Sequence, residues 1–366
     1  MTSNFRTQDE HIVQLDGLRF FAVTTVMIAH WLQWQWTNVV LTSIPFVHGV
    51  ILFFVLSGFL ITRILLENRD YYNEQKLDKS KLLKNFYIRR FLRIFPIYYL
   101  LIFTLFFFDY NNTRELFPWL VSYSSNIYQS IHNVYIGEFN HFWSLAVEEQ
   151  FYLFWPLLIV FTKPKHTLRL ILITIVIGLL SRMYIYYFVG NWMATSYFTL
   201  CCMSSLGIGA LIAYLTIYKI NMARLIQQWG FIIGALLFYL LLLFVNYKYQ
   251  FNWYKEIFDE FAFSVLSALI ILRASQNGFG SIFKRILENK FILYSGKISY
   301  GLYVYHLFIP AMFFYVAPRI GLAVTNKYTF FVFLYLLTFL CAHISWKVIE
   351  SPSNSLKKYF PYKQRR

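Results

Sequence analysis

The sequence predicts an all-α integral membrane protein with about ten transmembrane helices and both termini in the cytoplasm. Of its 366 residues, 58% are hydrophobic and only 14% are charged, and 40 are Phe and 29 are Tyr. A water-soluble domain of this length would be unable to cover so much apolar surface. Two further observations, the length of the apolar runs and the distribution of basic residues, support the same fold class.

The apolar runs are long enough to cross a bilayer. About 20 apolar residues span a hydrocarbon core roughly 30 Å thick. Runs of about this size lie at 17–37, 46–66, 94–109, 142–161, 170–188, 197–217, 229–247, 258–273, 295–315 and 328–349. The sequence contains no repeat, low-complexity linker or appended soluble domain, so residues 1–366 are predicted to form a single transmembrane domain.

The basic residues segregate to one side of these runs. With a cytoplasmic N-terminus, the loops 67–93, 162–169, 218–228 and 274–294 and both tails contain nearly all loop Lys and Arg residues. Such an excess marks the cytoplasmic side of a membrane protein. The formal net charge of +16 is therefore attributed to topology and to contact with anionic membrane lipids, and nucleic acid is not expected as a partner.

Two long loops and the cysteines add further expectations. The loop 67–93 is predicted to be cytoplasmic, with an amphipathic surface helix in its second half. The opposite loop 110–141 is rich in Asn, Ser, Tyr and Trp, which suits a sugar ligand, although an aromatic belt at the membrane interface has the same composition. The three cysteines, two of them adjacent, predict neither a disulfide framework nor a metal site.

Ionisable residues inside the predicted spans are the first candidates for function. In DGLRFFAVTTVMIAH, residues 16–30, Arg19 and His30 are eleven positions apart. On a helix this is about three turns, so both side chains share one face and His30 lies roughly 16 Å deeper. His306 in the ninth run and Glu148 with Glu149 in the fourth are placed at similar depth. Such groups usually face a partner inside the helix bundle.

This layer of residues suits proton transfer. Imidazole has the side-chain pKa nearest neutrality, and a carboxylate can hold its tautomer or stabilise its charged form. His30 is therefore a candidate general base, with Glu148 as a candidate partner. The alternative for His30 is an interhelical hydrogen bond, and for His306 ordinary aromatic packing. Arg182, in the fifth run, is interpreted as a structural or charge-balancing residue.

A second cluster, IRRFLRIFPIYY, begins the third run. Arg90 and Arg93 are three residues apart and share a helical face, and Arg19 is expected at the same level. Three guanidinium groups at one site can bind phosphates through paired hydrogen bonds. Taken alone, the cluster fits an anchor for lipid headgroups better than a phosphate-binding site.

Together these motifs resemble the membrane acyltransferase-3 family, which O-acylates carbohydrates at bacterial envelopes. Asp16, Gly17, Arg19 and His30 resemble its DGxR and R-x10-H signature, and Arg90 with Arg93 its RxxR. GVILFFVLSGFLIT at 49–62 is similar to its second-span motif, and FWSLAVEEQFY at 142–152 is similar to its WSLxxExQFY, with Glu148 at the acidic position. SYGLYVYH and SWKVIESP resemble its closing segments, although ERP is common where this chain has ESP.

The resemblance implies a membrane O-acyltransferase, in particular an O-acetyltransferase, with ten helices. The donor is expected to be cytoplasmic acetyl-CoA or another acyl-CoA, and the acceptor a hydroxyl of an envelope or lipid-linked glycan, as in lipopolysaccharide or exopolysaccharide biosynthesis. The expected location is the bacterial cytoplasmic (inner) membrane, and no metal is expected.

The expected site residues follow from the motifs. The catalytic residues are His30, Arg19 and Glu148, and the donor-binding residues are Arg19, Arg90 and Arg93. Asp16, Glu149 and His306 are supporting candidates. The alternative function is a proton-coupled transporter, because buried His and Glu residues also serve as proton relays.

Overall fold

The computed structural model describes residues 12–35, 48–249, 257–320 and 327–362, together with residue 253. Within these ranges the regular structure is helical and no strand occurs. The prediction of an all-α protein is confirmed for this part of the chain.

The helices follow the predicted apolar runs. Their bounds are α1 Val13–Gln35, α2 Gly49–Glu74, α3 Lys79–Phe107, α4 Thr113–Val121, α5 Ser125–His132, α6 Phe142–Phe161, α7 Thr167–Tyr184, α8 Trp192–Tyr197, α9 Thr199–Tyr218, α10 Ile220–Ile226, α11 Trp229–Tyr249, α12 Asp259–Ser275, α13 Ser281–Leu287, α14 Lys290–Lys297, α15 Ser299–Tyr305, α16 Phe308–Val316, α17 Lys327–Ser345 and α18 Ser351–Ser355. Short 3-10 and π segments join several of them.

Several helices are long and apolar enough to cross a membrane. Among the described residues, seven continuous helical segments qualify, and an eighth qualifies if α15 and the segment beginning with α16, which meet at a 46° bend, form one span. α1, with Asp16 and Arg19 in its first half, and α12, only 17 residues long, coincide with the other two predicted runs. The chain is therefore a multi-pass protein, while the total of ten spans and the cytoplasmic position of the termini stay predictions.

The segment 67–93, predicted as a long loop with a helix in its second half, is helical except for a short connection, and the helix predicted in its second half is present. α2 continues to Glu74 and α3 begins at Lys79, so only residues 75–78 connect them. Asp78 caps α3 by accepting a hydrogen bond from the Ser80 backbone N–H at 2.9 Å, which is the usual role of a side-chain oxygen at this position. The basic second half of the expected loop is the first part of a membrane-spanning helix.

The centre of the helix bundle is formed by α2. This helix packs against α9, α6 and α1, and α9 packs in turn against α7. The contact between α2 and α9 is so close that a Cβ atom at Gly58 would collide with the backbone carbonyl of Leu206. Small residues allow such close helix approach in membrane proteins, where packing replaces the hydrophobic effect as the driving force.

Two buried arginines stabilise the bundle away from the centre. Arg69 is fully buried, and it donates hydrogen bonds to Thr167 Oγ1 at 2.8 Å and Tyr218 Oη at 2.9 Å. Arg182 forms an ion pair with Glu260, which agrees with the structural role predicted for Arg182. Charged side chains inside a membrane helix bundle are rare and almost always have such partners, because isolated charges are costly there.

Candidate active site

One cavity brings together most of the residues predicted from sequence. It lies between α1, α2, α3, α6 and α15. Its polar lining consists of Arg19, Ser57, Arg90, Arg93, Ser144, Glu148, Glu149, Tyr152, Ser299, Tyr300 and Tyr303. Five of the eight predicted site residues (Arg19, Arg90, Arg93, Glu148 and Glu149) are in this set, and they come from three separate helices.

The three arginines cluster at one part of this cavity. Arg93 interacts electrostatically with both Arg19 and Arg90. Arg19 forms an ion pair with Asp16 on the preceding turn of α1, and the backbone of Asp16 packs so closely on α14 that a Cβ at Gly296 would collide with it. Asp16 is thus fixed in place and can orient the Arg19 guanidinium.

Arg90 and Arg93 retain free hydrogen-bonding capacity. The Arg90 guanidinium lies 5.5 Å from the ring centroid of Tyr152, a cation–π contact that leaves its N–H donors unused. Within the part of the chain that the structure describes, Arg93 has neither a hydrogen-bond acceptor nor an ion-pair partner. Guanidinium groups that line a cavity without such partners form a suitable site for an anionic group.

Glu148 belongs to this arginine cluster. Its Oε1 accepts a hydrogen bond from Ser57 Oγ at 2.7 Å, and Ser57 Oγ lies 2.9 Å from Tyr152 Oη. Glu148 also interacts electrostatically with Arg93 and Arg90, and Glu149 with Arg90. The hydrogen bonds of Glu148 therefore connect α6 to α2, and they do not reach His30.

The two predicted histidines meet beside a break between α15 and α16. Pro310 has no backbone N–H, so it cannot donate to the His306 carbonyl four residues earlier, and its ring disfavours a continuous helix there. The indole Nε1 of Trp31 on α1 donates to this carbonyl instead, at 2.8 Å. The break thus places the His306 imidazole against α1, where His306 Nε2 lies 2.9 Å from His30 Nδ1.

These contacts determine which nitrogens carry protons. His306 Nδ1 lies 2.6 Å from the carbonyl oxygen of Tyr303, which can only accept, so this nitrogen carries the hydrogen. His306 Nε2 then has the lone pair and accepts from His30 Nδ1–H. In neutral His30 the remaining lone pair is on Nε2. The arrangement leaves His30 with the tautomer that can remove a proton from a substrate.

The histidine pair adjoins the cavity without being part of its lining. Tyr303 lines the cavity, and its carbonyl accepts the hydrogen bond from His306. Arg19 and His30 are both on α1, an uninterrupted helix, so the predicted separation of roughly 16 Å along its axis applies. The arginine cluster and the histidine pair are therefore joined by α1 and by the cavity wall at Tyr303, roughly 16 Å apart along the helix axis.

Several residues of this site were not predicted from sequence. His141 is fully buried, its ring centroid lies 4.7 Å from that of His306, and its Nε2 donates to the Val304 carbonyl at 3.2 Å. Ser57 and Trp31 were also missed. Their partners lie 91 and 275 positions away in the chain, so only the three-dimensional fold reveals the contacts.

Comparison with known proteins covers nearly the whole chain. The sequence pattern of the acyltransferase-3 family, described as an acyltransferase domain, matches residues 12–347. The chain belongs to the acyltransferase-3 family. The matched residues include Arg19, His30, Arg90, Arg93 and Glu148.

Two relatives are informative. O-acetyltransferase OatA of Staphylococcus aureus (strain NCTC 8325 / PS 47) is 32% identical over 362 residues, covering 92% of this chain and 56% of the relative. Peptidoglycan O-acetyltransferase OatA of Listeria monocytogenes is 30% identical over 389 residues, covering 98% of this chain and 59% of the relative. The chain thus spans little more than half the length of these acyltransferase-3 relatives. No solved structure matches it.

Proposed function

We propose that this acyltransferase-3 protein is a membrane O-acetyltransferase that moves an acetyl group from cytoplasmic acetyl-CoA to a hydroxyl of a cell-envelope glycan. The observation that carries the proposal is the pairing of an arginine cluster with a histidine whose lone pair is free, about three helical turns apart. A polyanionic acyl donor needs the first feature, and deprotonation of a hydroxyl needs the second.

The donor occupies the arginine end in this proposal. Phosphates of CoA bind Arg90 and Arg93, which have unused donors, and Arg19, which Asp16 orients. The pantetheine arm extends along the cavity towards Tyr303, so that the thioester reaches the histidine pair. Holding both reactants in this way removes much of the entropic cost of their encounter.

His30 acts as the general base. Its Nε2 takes the proton of the attacking glycan hydroxyl as the hydroxyl oxygen bonds to the acetyl carbonyl carbon, and the resulting imidazolium is stabilised by the hydrogen bond from Nδ1–H to His306 Nε2. The C–S bond of the thioester then breaks, and the departing CoA thiolate takes the proton back from His30 Nε2. Glu148 acts at the arginine end, where it holds Ser57 and balances the guanidinium charge, and Glu149 supports it there.

The acceptor is proposed to be a cell-wall glycan. A relative is named a peptidoglycan O-acetyltransferase, which favours peptidoglycan over the lipopolysaccharide and exopolysaccharide acceptors considered from the sequence. The acceptor would approach from outside the cytoplasmic membrane, with the arginine end facing the cytoplasm, as the distribution of basic residues predicts.

The test combines glycan analysis with donor binding. Acetate released from the purified cell-wall glycan by mild alkali is measured by mass spectrometry in wild-type, deletion, and His30→Ala strains. We expect ester-linked acetate to be lost in the deletion strain and in the His30→Ala strain. In His30→Ala the transfer rate should fall at least about 100-fold, because the variant lacks its general base. The purified His30→Ala protein should still bind CoA, and unchanged glycan acetylation in the folded variant would contradict the mechanism.

The arginine cluster is tested on the same protein. Arg93→Ala should weaken CoA binding by about 1.5–3 kcal/mol, the usual contribution of a charged hydrogen bond, which equals roughly 10- to 150-fold. Lys84→Ala is the matched control, because Lys84 is an exposed cation on the same helix. If Arg93→Ala and Lys84→Ala bind CoA with equal affinity, the arginine cluster anchors lipid headgroups and does not bind the donor.

A further inference from the structure

A partly exposed segment that begins in α18 lies against the first half of α3. Ser353 Oγ donates to the Leu92 carbonyl at 2.9 Å, and Asn85 Nδ2 donates to the Pro361 carbonyl at 2.7 Å. These two hydrogen bonds fix the segment 353–361 along the helix that carries Arg90 and Arg93. We call residues 353–362 the C-terminal strap.

Arg89 holds the middle of this strap. Its Nη1 donates to the carbonyls of Lys357 at 3.0 Å and Phe360 at 3.3 Å, and its guanidinium lies 4.8 Å from the ring centroid of Tyr362. Arg89 thus donates hydrogen bonds to the strap backbone, whereas its neighbour Arg90 lines the cavity. Of the two adjacent arginines, one positions the strap and the other faces the donor site.

The strap brings a further cation to the cluster. Lys357 interacts electrostatically with Arg89, Arg90 and Arg93, its ammonium donates to the neutral amide oxygen of Asn354, and it takes part in none of the ion pairs formed between described residues. A partly buried ammonium held among like charges is unfavourable unless an anion balances it. The strap therefore maintains an arrangement that an anionic ligand would stabilise.

The position of Lys357 indicates which part of a donor it would contact. The three arginines line the cavity and Lys357 does not, so Lys357 lies outside the part that accommodates an acyl arm. In CoA, the 3′-phosphate on the adenosine ribose is the phosphate furthest from the thioester. We propose that Lys357 binds this 3′-phosphate, as a fourth cation of the donor site; the inference rests on the proposed function and specifies the nucleotide end of its substrate.

The test compares two ligands that differ only in this phosphate. Binding of CoA and of dephospho-CoA, which lacks the 3′-phosphate, is measured by calorimetry on the full chain in nanodiscs of uncharged lipid. Wild-type protein should bind CoA more tightly. Lys357→Gln should weaken CoA binding roughly tenfold and leave dephospho-CoA binding unchanged, and Lys357→Arg should retain the preference for CoA.

The controls separate charge from folding of the strap. Lys358→Gln removes the exposed neighbouring cation and should leave both affinities unchanged. Asn354→Ala removes the hydrogen bond of the Lys357 ammonium but keeps its charge, and it should retain most of the preference for CoA.

The outcomes distinguish this inference from the proposed function. If Lys357→Gln weakens the binding of CoA and dephospho-CoA equally, or weakens neither, the 3′-phosphate assignment is overturned while the proposed donor site remains. If the wild-type protein binds neither ligand, the proposed acetyl-CoA donor itself is wrong and the assignment of Lys357 is overturned with it.

Discussion

His306→Leu tests whether the histidine pair is functional. The substitution removes the acceptor that His30 Nδ1–H contacts at 2.9 Å. During transfer His30 becomes an imidazolium, so the lost hydrogen bond is one to a charged group, worth about 1.5–3 kcal/mol. This corresponds to a roughly 10- to 150-fold lower kcat.

The assay measures transfer of radiolabelled acetyl from acetyl-CoA to cell-wall glycan fragments by the protein in vesicles. The KM for acetyl-CoA should be unchanged, since the arginine cluster is intact. His306→Gln, whose amide oxygen can accept from His30, should recover most of the rate. His343→Leu is the control, because His343 is hydrogen-bonded to Tyr294 and is not part of the cavity lining. A folded His306→Leu protein with wild-type kcat would refute the assignment of His306 as the residue that orients and stabilises His30.

Two further predictions concern topology and stability. In a background lacking the native cysteines, a cysteine at exposed Lys81 should react with a membrane-impermeant thiol reagent only from the cytoplasm, and one at exposed Asn133 only from outside; the opposite labelling would reverse the proposed orientation. Arg69→Met should destabilise the protein by about 1–3 kcal/mol for each buried acceptor that it leaves unsatisfied, whereas Arg63→Met at a partly exposed ion pair should cost about 1 kcal/mol or less. Thermal unfolding in detergent measures both, and equal stability of the two variants would show that the Arg69 network is dispensable.

The sequence predicted the helices well because their physical cause is local. Apolar runs of the required length and clusters of basic residues are read directly from consecutive residues. The shared face of Arg90 and Arg93 and the alignment of Arg19 with His30 likewise depend only on helical periodicity. The same local reasoning found the helix in the second half of 67–93 but failed in its first part, where the polar composition suggested a loop and α2 continues to Glu74. Buried Arg69 stabilises the end of α2 through contacts with α7 and α9, and no local pattern reveals them.

The side-chain contacts of the predicted residues were harder to predict from the sequence. The alignment of depths placed His30, His306 and Glu148 in one layer, but depth does not say which side chains touch. The structure pairs His30 with His306 and places Glu148 on Ser57. Which side chains touch depends on the direction in which each one faces around its helix axis. That direction is set by how the helices pack against one another.

Pro310 explains how a helix bundle can hold such a site. A continuous ninth span would bury the His306 carbonyl in an ordinary helical hydrogen bond, leaving nothing to fix the helix against α1. The missing N–H of Pro310 frees this carbonyl for the Trp31 indole, which lies next to His30 in sequence. Trp31 thus hydrogen-bonds the backbone carbonyl of His306, and His30 hydrogen-bonds its imidazole. One proline and one tryptophan therefore set the geometry of the histidine pair, and any motion of α16 relative to α15 would act on the proposed base through His306.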